Sequence, residues 1–160
     1  MIRGVHHVCI STPDIERAVA FYLKVIPGGE VAFSGELEGS TEFDNVLGLR
    51  GTVAKAAVLK AQNIFLEFFE FTAPDPKPVD PQRPVNDNGY THFCFDVTDV
   101  DEEYARLGAL GMTFHGPPQE FKEFGIRTVY GRDPDGNVVE LQELNDRPDI
   151  ALPGMSTTRD

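Results

Sequence analysis

The chain contains one unit twice, and this repeat limits its fold more than any other feature. His7-Val8-Cys9-Ile10 matches His92-Phe93-Cys94-Phe95, and in that register Asp14-Ile15-Glu16 meets Asp99-Val100-Asp101. Glu67-Phe68-Phe69-Glu70 then matches Glu140-Leu141-Gln142-Glu143 near the end of each half. Self-similarity of this kind implies two supersecondary units, neither of which buries its hydrophobic face alone.

Each unit reads as β-α-β-β-β. Residues 5–11 form a short apolar strand. Thr12 is the expected N-cap of the following helix, with Pro13 at the first helical position, where a missing N–H costs nothing. Ile15, Ala18, Val19, Tyr22 and Ile26 make one apolar stripe, and Pro27-Gly28-Gly29 ends it. Strands are expected at 30–34 and 52–60 around a polar loop, then at 63–71, where Glu67 and Glu70 interrupt a strongly apolar run. The second half repeats this with a strand at 92–97 and Thr98 as N-cap. Val100, Tyr104, Leu107 and Leu110 form its helical stripe, which ends at Gly111, and a short strand follows at 112–115. Strands at 127–131 and 137–144 pair across the turn signal Asp133-Pro134-Asp135-Gly136.

The expected class is therefore α+β: two βαβββ repeats, 4–72 and 89–144, forming a curved mixed sheet around a cleft within a single domain, 1–144. Residues 73–88 carry five prolines and read as the linker, and 145–160 reads as a polar tail.

Composition excludes several function classes. Asp and Glu number 26 against 14 Lys and Arg, a net charge of −12, which repels nucleic acid and anionic lipid. No segment has the apolar length of a membrane span. Two cysteines do not make a disulfide framework, so the expected compartment is the cytoplasm.

Each repeat places a His on its first strand and a Glu on its last. Related by a pseudo-twofold axis, His7, Glu67, His92 and Glu140 would converge on one divalent ion, drawn from Zn, Ni, Co, Mn or Fe. Strand alternation puts His7 on a face with Val5, Cys9 and Ser11, opposite Val8 and Ile10. Glu140 shares its face with Val138 and Gln142. Glu67 shares its face with Phe65 and Phe69, apolar neighbours that would line a substrate site and make an unpaired carboxylate costly. His115, beside Gly116-Pro117-Pro118, is a candidate substrate contact. Arg127 is a candidate for holding a substrate carboxylate, or for pairing with Glu120 or Glu123. Tyr130 stands before the turn as a candidate catalytic hydroxyl, and 119–125 reads as a lid. Cys9 and Cys94 read as space-fillers beside the histidines.

His6-His7-Val8 with the helix from Asp14 to Tyr22, Tyr90-Thr91-His92-Phe93, and Asp133-Pro134-Asp135-Gly136-Asn137-Val138-Val139-Glu140-Leu141 resemble the vicinal oxygen chelate superfamily. That superfamily includes glyoxalase I, methylmalonyl-CoA epimerase, extradiol dioxygenases and bleomycin-resistance proteins. The resemblance spans residues 4–144 and is most specific at the Asp133 to Leu141 segment. It implies metal ligands at His7, His92 and Glu140, with Glu67 at a variable fourth position.

The expected function is a metal-dependent lyase or isomerase that removes a proton next to a carbonyl, with Glu67 or Glu140 moving it. Its substrate would be small, fairly apolar and oxygen-chelating. Glutathione is not expected, because glutathione-using relatives carry Arg and Asn where Ser11 and Phe71 stand. The alternatives are an Fe(II) extradiol-type dioxygenase assisted by Tyr130, and a metal-free binding or resistance protein. A homodimer is the expected assembly.

Overall fold

The computed structural model describes residues 1–153; the end of the expected tail, 154–160, lies outside the described residues. The chain divides into two compact units, Met1–Val79 and Asp80–Asp160. The division falls inside the proline-rich segment.

The first unit runs β1 (His7–Ser11), α1 (Ile15–Val25), β2 (Glu30–Glu38), α2 (Thr41–Leu47), β3 (Val53–Lys60) and β4 (Phe65–Ala73). Its sheet has the order β1-β4-β3-β2, with β1 parallel to β4 and the remaining pairs antiparallel. Helix α1 buries Ile15, Ala18, Phe21, Tyr22 and Val25, the side expected from its apolar spacing, while Val19 is half-buried. Leu59, Leu66 and Phe68 rise from the sheet beneath it, each at most 1% exposed, and the Tyr22 ring lies 5.3 Å from that of Phe68. Burying side chains of this size stabilises by about 1.5–3 kcal/mol apiece.

The N-cap of α1 is Asp14, not Thr12. The Asp14 carboxylate accepts the Arg17 N–H at 3.0 Å, one turn into the helix. The Thr12 hydroxyl accepts the Asp14 N–H and donates to the Asp14 carbonyl, both at 3.2 Å, and so closes a turn ahead of the helix. The second repeat shifts in the same way, with Asp99 rather than Thr98 capping α3. The polar loop expected between β2 and β3 contains α2, capped by Ser40 at its start and by Gly48 at φ 67° at its end. Phe43 of α2 packs against Phe69, and Asp44 accepts backbone N–H groups of Gly51 at 2.7 Å and Thr52 at 2.9 Å, fastening the helix to the entry of β3.

The second unit runs β5 (His92–Asp96), α3 (Val100–Ala109), β6 (Thr113–Phe114), β7 (Gln119–Phe121), β8 (Ile126–Arg132) and β9 (Val138–Leu144). Its sheet has the order β5-β9-β8-β6, with β7 also on β8 and β5 parallel to β9. Val100 and Leu107 from α3 are buried in this unit's core, as are Val139 and Leu141 from β9. The residues read as a lid are instead β7 and a 3-10 turn at Lys122–Phe124. They are tied to the following chain: Asn145 N–H donates to the Gly125 carbonyl at 2.8 Å, and the Arg147 guanidinium donates to the Phe124 carbonyl.

The turn between β8 and β9 is built around Asp133. Its carboxylate accepts the N–H groups of Asp135 and Asn137 and the Asn137 side-chain amide, all at 2.9 Å. Gly136 sits at φ 89°, and a Cβ there would lie 2.7 Å from Pro81. Both the turn and the close passage of Pro81 therefore require glycine. Arg132 also donates to the Arg83 carbonyl at 2.7 Å, so the end of the expected linker is fastened to this unit.

Candidate functional site

The parallel pairing of β1 with β4 sets Cys9 beside Glu67 in register, with His7 one pleat away on the same face. The His7 Nε2 atom lies 3.4 Å from a Glu67 oxygen. In the second unit the pairing of β5 with β9 puts Cys94 beside Glu140, and His92 Nε2 lies 3.0 Å from Glu140 Oε2. The second pair is the more enclosed, its side chains 25% and 12% exposed against 44% and 25% for the first.

In both pairs Nδ1 is occupied by another group, which leaves Nε2 toward the carboxylate. His92 Nδ1 lies 2.8 Å from the Thr91 hydroxyl, and His7 Nδ1 lies 3.0 Å from His6 Nδ1. The His6 ring stacks on Phe65 at 4.9 Å, so it packs and orients its neighbour. An outer hydrogen bond of this sort fixes the orientation of a ligating imidazole.

Glu140 is held further. The Thr128 hydroxyl donates to Glu140 Oε1 at 2.6 Å, and Tyr130, directly across from Glu140 in the β8–β9 register, has its hydroxyl 3.2 Å from His92 Nε2. Burial, and then the Glu140 charge, raise the Tyr130 phenol above its ordinary pKa, so it remains a neutral donor near neutral pH. The matching positions across from Glu67 and Phe69 are Val58 and Ala56, neither of which offers a hydroxyl. Thr91 and Thr128 were not singled out in the sequence, because a strand threonine is commonplace; setting Thr128 against Ala56 in the repeat register is the signal that marks it.

The other candidates are distributed differently. Phe65 is partly exposed beside His7, whereas Phe69 is buried with Ala54 and Ala56 under Phe43 and Phe71. Arg127 is not at the His92–Glu140 pair. It lies on the opposite face of β8, its guanidinium 2.7 Å from Asp101 and 3.4 Å from Glu143. Neither Glu120 nor Glu123 is its ion-pair partner among the described residues. His115 is exposed after β6 and donates its backbone N–H to the Tyr130 carbonyl at 2.9 Å. Partial burial, followed by the adjacent Glu67 charge, pushes the Cys9 thiol up to about 12, and burial followed by Glu140 raises that of Cys94 as well.

The donor set suits a divalent ion. Atoms about 2.1 Å from one ion, at angles between octahedral and tetrahedral, lie about 3.0–3.4 Å from each other, and the two His–Glu separations fall in that range. Among the described residues, no group of three or more His, Cys, Asp or Glu side chains able to hold an ion is gathered; the four candidates stand as two pairs.

Two repeats with the same strand order, each presenting a His–Glu pair from its first and last strands, define a paired βαβββ protein. A family model described as the Glyoxalase/Bleomycin resistance protein/Dioxygenase superfamily matches residues 4–141, and the chain belongs to that superfamily. It is 34% identical over 150 residues to a 2-epi-5-epi-valiolone epimerase from Actinomyces sp., covering 88% of this chain and 79% of the epimerase. A glyoxalase family protein from Bacillus cereus has a similar fold, with TM-score 0.81, 24% identity, and coverage of 91% of this chain and 96% of that one. The fosfomycin resistance protein FosX from Listeria monocytogenes, solved in complex with Mn(II) and a sulfate ion, aligns with TM-score 0.61 at 18% identity over 94% of this chain and 100% of its own. Among the described residues, no helix is long and apolar enough to cross a membrane.

Proposed function

We propose that this protein is a metal-dependent isomerase, acting by proton transfer at a carbon next to a carbonyl, with His7, Glu67, His92 and Glu140 as the ligand set for one divalent ion. The single observation that carries this reading is the repeated His–Glu pair, at ligand-edge separations of 3.4 and 3.0 Å. The similarity to an epimerase over most of both chains favours isomerase chemistry over lyase or dioxygenase chemistry. A divalent ion bound there would supply positive charge for the oxygen that becomes negative when the neighbouring carbon loses its proton.

The chain's own residues divide the remaining work. Glu140 is fixed by Thr128 and His92, so it holds position. Across from Glu67 stands Val58, which offers no hydroxyl, and Glu67 is the carboxylate that takes the proton. The C–H electron pair passes into an enolate, and the proton returns to the same carbon from the other face or to the adjacent carbon. Substrate and product are isomers, so no redox partner is needed. The Tyr130 hydroxyl is placed to donate to a substrate oxygen beside His92. Phe65 offers apolar contact beside His7. A homodimer of these chains in the cytoplasm is the assembly and location that accompany this reading.

Solvent-deuterium exchange into a cyclohexanone with a hydroxyl beside the carbonyl (α-hydroxycyclohexanone), followed by NMR on metal-loaded protein, tests the proposal. Exchange lost in His92→Ala is the expected result. No exchange, together with oxygen uptake on catechols by iron-loaded protein, would replace it with the ring-cleaving reading.

A further inference from the structure

Along β2 the pairing with β3 slips by one residue. Val31 stands against Leu59, but Phe33 stands against Val58, because Ala32 is an extra residue between them. Without that bulge Phe33 would meet Ala57, on the side of the sheet that α1 covers. With it, Phe33 stands on the face that carries His7 and Glu67. Bulges beside functional sites re-aim side chains in this way.

Three strands then present one row on that face: Glu67 on β4, Val58 on β3 and Phe33 on β2. Neighbouring strands lie about 4.8 Å apart, so Phe33 and Glu67 flank Val58 with about 10 Å between their backbones. Val58 is half-buried and forms the floor between them. The next row, Phe69, Ala56 and Gly35, is closed where Phe43 of α2 covers Phe69. The Phe33 ring leans toward that closed row, since a Cβ on Gly35 would meet its Cζ at 3.0 Å. Gly35 therefore lets the ring tilt off Val58, and Phe33, 50% exposed, becomes an apolar wall facing a carboxylate across a niche.

The second unit differs at the matching places. Tyr130 stands across from Glu140, and His115 follows across from Tyr130. A phenol and an imidazole suit substrate oxygens, whereas valine and phenylalanine suit carbon. The niche over Val58 adjoins the carboxylate that takes the proton, so its occupant belongs to the molecule that carries that proton. We infer that Val58 and Phe33 form a subsite for an apolar substituent, an aryl ring or short alkyl chain, attached to the carbonyl next to the deprotonated carbon. The subsite rests on the isomerase reading insofar as Glu67 fixes where that carbon lies.

Calorimetric binding to the metal-loaded full chain compares 2-hydroxyacetophenone with hydroxyacetone. The two share an α-hydroxy ketone and differ as phenyl against methyl. The expected result is binding of 2-hydroxyacetophenone about tenfold or more tighter. Phe33→Ala removes the wall, and Gly35→Val drives the ring over Val58. Each should shrink the preference to about twofold or less. Phe33 is exposed, so its loss leaves the core intact. Equal binding of both ketones by the wild-type chain, or a preference kept in either variant, would overturn the subsite. Loss of self-association in Phe33→Ala with the preference intact would also overturn it, by giving the ring to a second copy of the chain. Deuterium exchange into the hydroxymethyl carbon of both ketones separates the two proposals. Exchange without a binding preference removes the subsite and leaves the isomerase reading, whereas preferential binding without exchange keeps the subsite and removes the reading.

Discussion

Glu70 and Glu143 occupy equivalent positions in the two repeats and hold equivalent partners. Glu70 accepts the N–H of Ile15, the first residue of α1, at 2.9 Å, and Glu143 accepts that of Val100, the first residue of α3, at 3.1 Å. Each also meets a cation from the strand beside it, Lys55 at 3.4 Å and Arg127 at 3.4 Å. These carboxylates fasten a helix N-terminus to the strand that carries the site glutamate three residues earlier. They satisfy an N–H group that the helix itself leaves unpaired.

Glu143 is 2% exposed, so its loss leaves the Val100 N–H without this acceptor and deprives Arg127 of one of its two carboxylates, Asp101 remaining. Glu143→Ala is expected to destabilise the fold by about 2–4 kcal/mol in urea denaturation. Glu70→Gln keeps an acceptor for Ile15 and is expected to cost about 1 kcal/mol. Equal, negligible costs would show that these contacts do not hold the helices.

Gly131 lies under the Phe114 ring: a Cβ there would sit 2.6 Å from Phe114 Cδ1 and 3.0 Å from the Thr113 carbonyl. Gly131→Ala is expected to cost about 1–3 kcal/mol. Adding Phe114→Ala should cost less in the Gly131→Ala background than in the wild type. Thermodynamic coupling of that sign in a double-mutant cycle is the check.

Asp44 gives a pH-dependent prediction. Hydrogen bonds from Thr52, and then Gly51, hold its carboxyl below the usual aspartate value. A depressed folded-state pKa means that the stabilisation is present above the unfolded aspartate pKa and is lost as pH falls through the folded one. Wild type should therefore exceed Asp44→Asn in stability at neutral pH, and the gap should close in acid. Melting curves across that range measure it, and a gap independent of pH would contradict the assignment.

Much of this architecture was legible in the sequence, for physical reasons. A strand's period of two fixed the faces of His7, Glu67 and Glu140, and the repeat register located His92. The turn at Asp133 was readable because its residues supply both the side-chain acceptor and the positive φ. Helix α2 was not readable: it is seven residues long, and none of them is buried. The partners of Arg127 were not readable either, because Asp101 and Glu143 reach it from α3 and β9 rather than from nearby sequence. The roles of Glu70 and Glu143 were hidden in the same alignment that revealed Glu67 and Glu140. Three residues along a strand reverses the face, so the second member of each pair serves the helix.

Thr128 links the fold to the site, since its hydroxyl fixes the Glu140 oxygen at 2.6 Å. Thr128→Val is expected to weaken divalent-metal affinity about 10- to 100-fold while Thr128→Ser retains it. Competition with a fluorescent chelator gives the numbers. Equal affinities in all three proteins would remove Thr128 from the account.

The most direct test of the central claim is the metal content of the chain, purified without added metal and measured by plasma mass spectrometry. Wild type should carry close to one divalent ion per chain, and His7→Ala and Glu140→Ala should each lose it while keeping a folded spectrum, because the proposed ligand set includes both residues. A wild-type chain that binds no divalent ion, or a variant that keeps its full complement, would contradict the account.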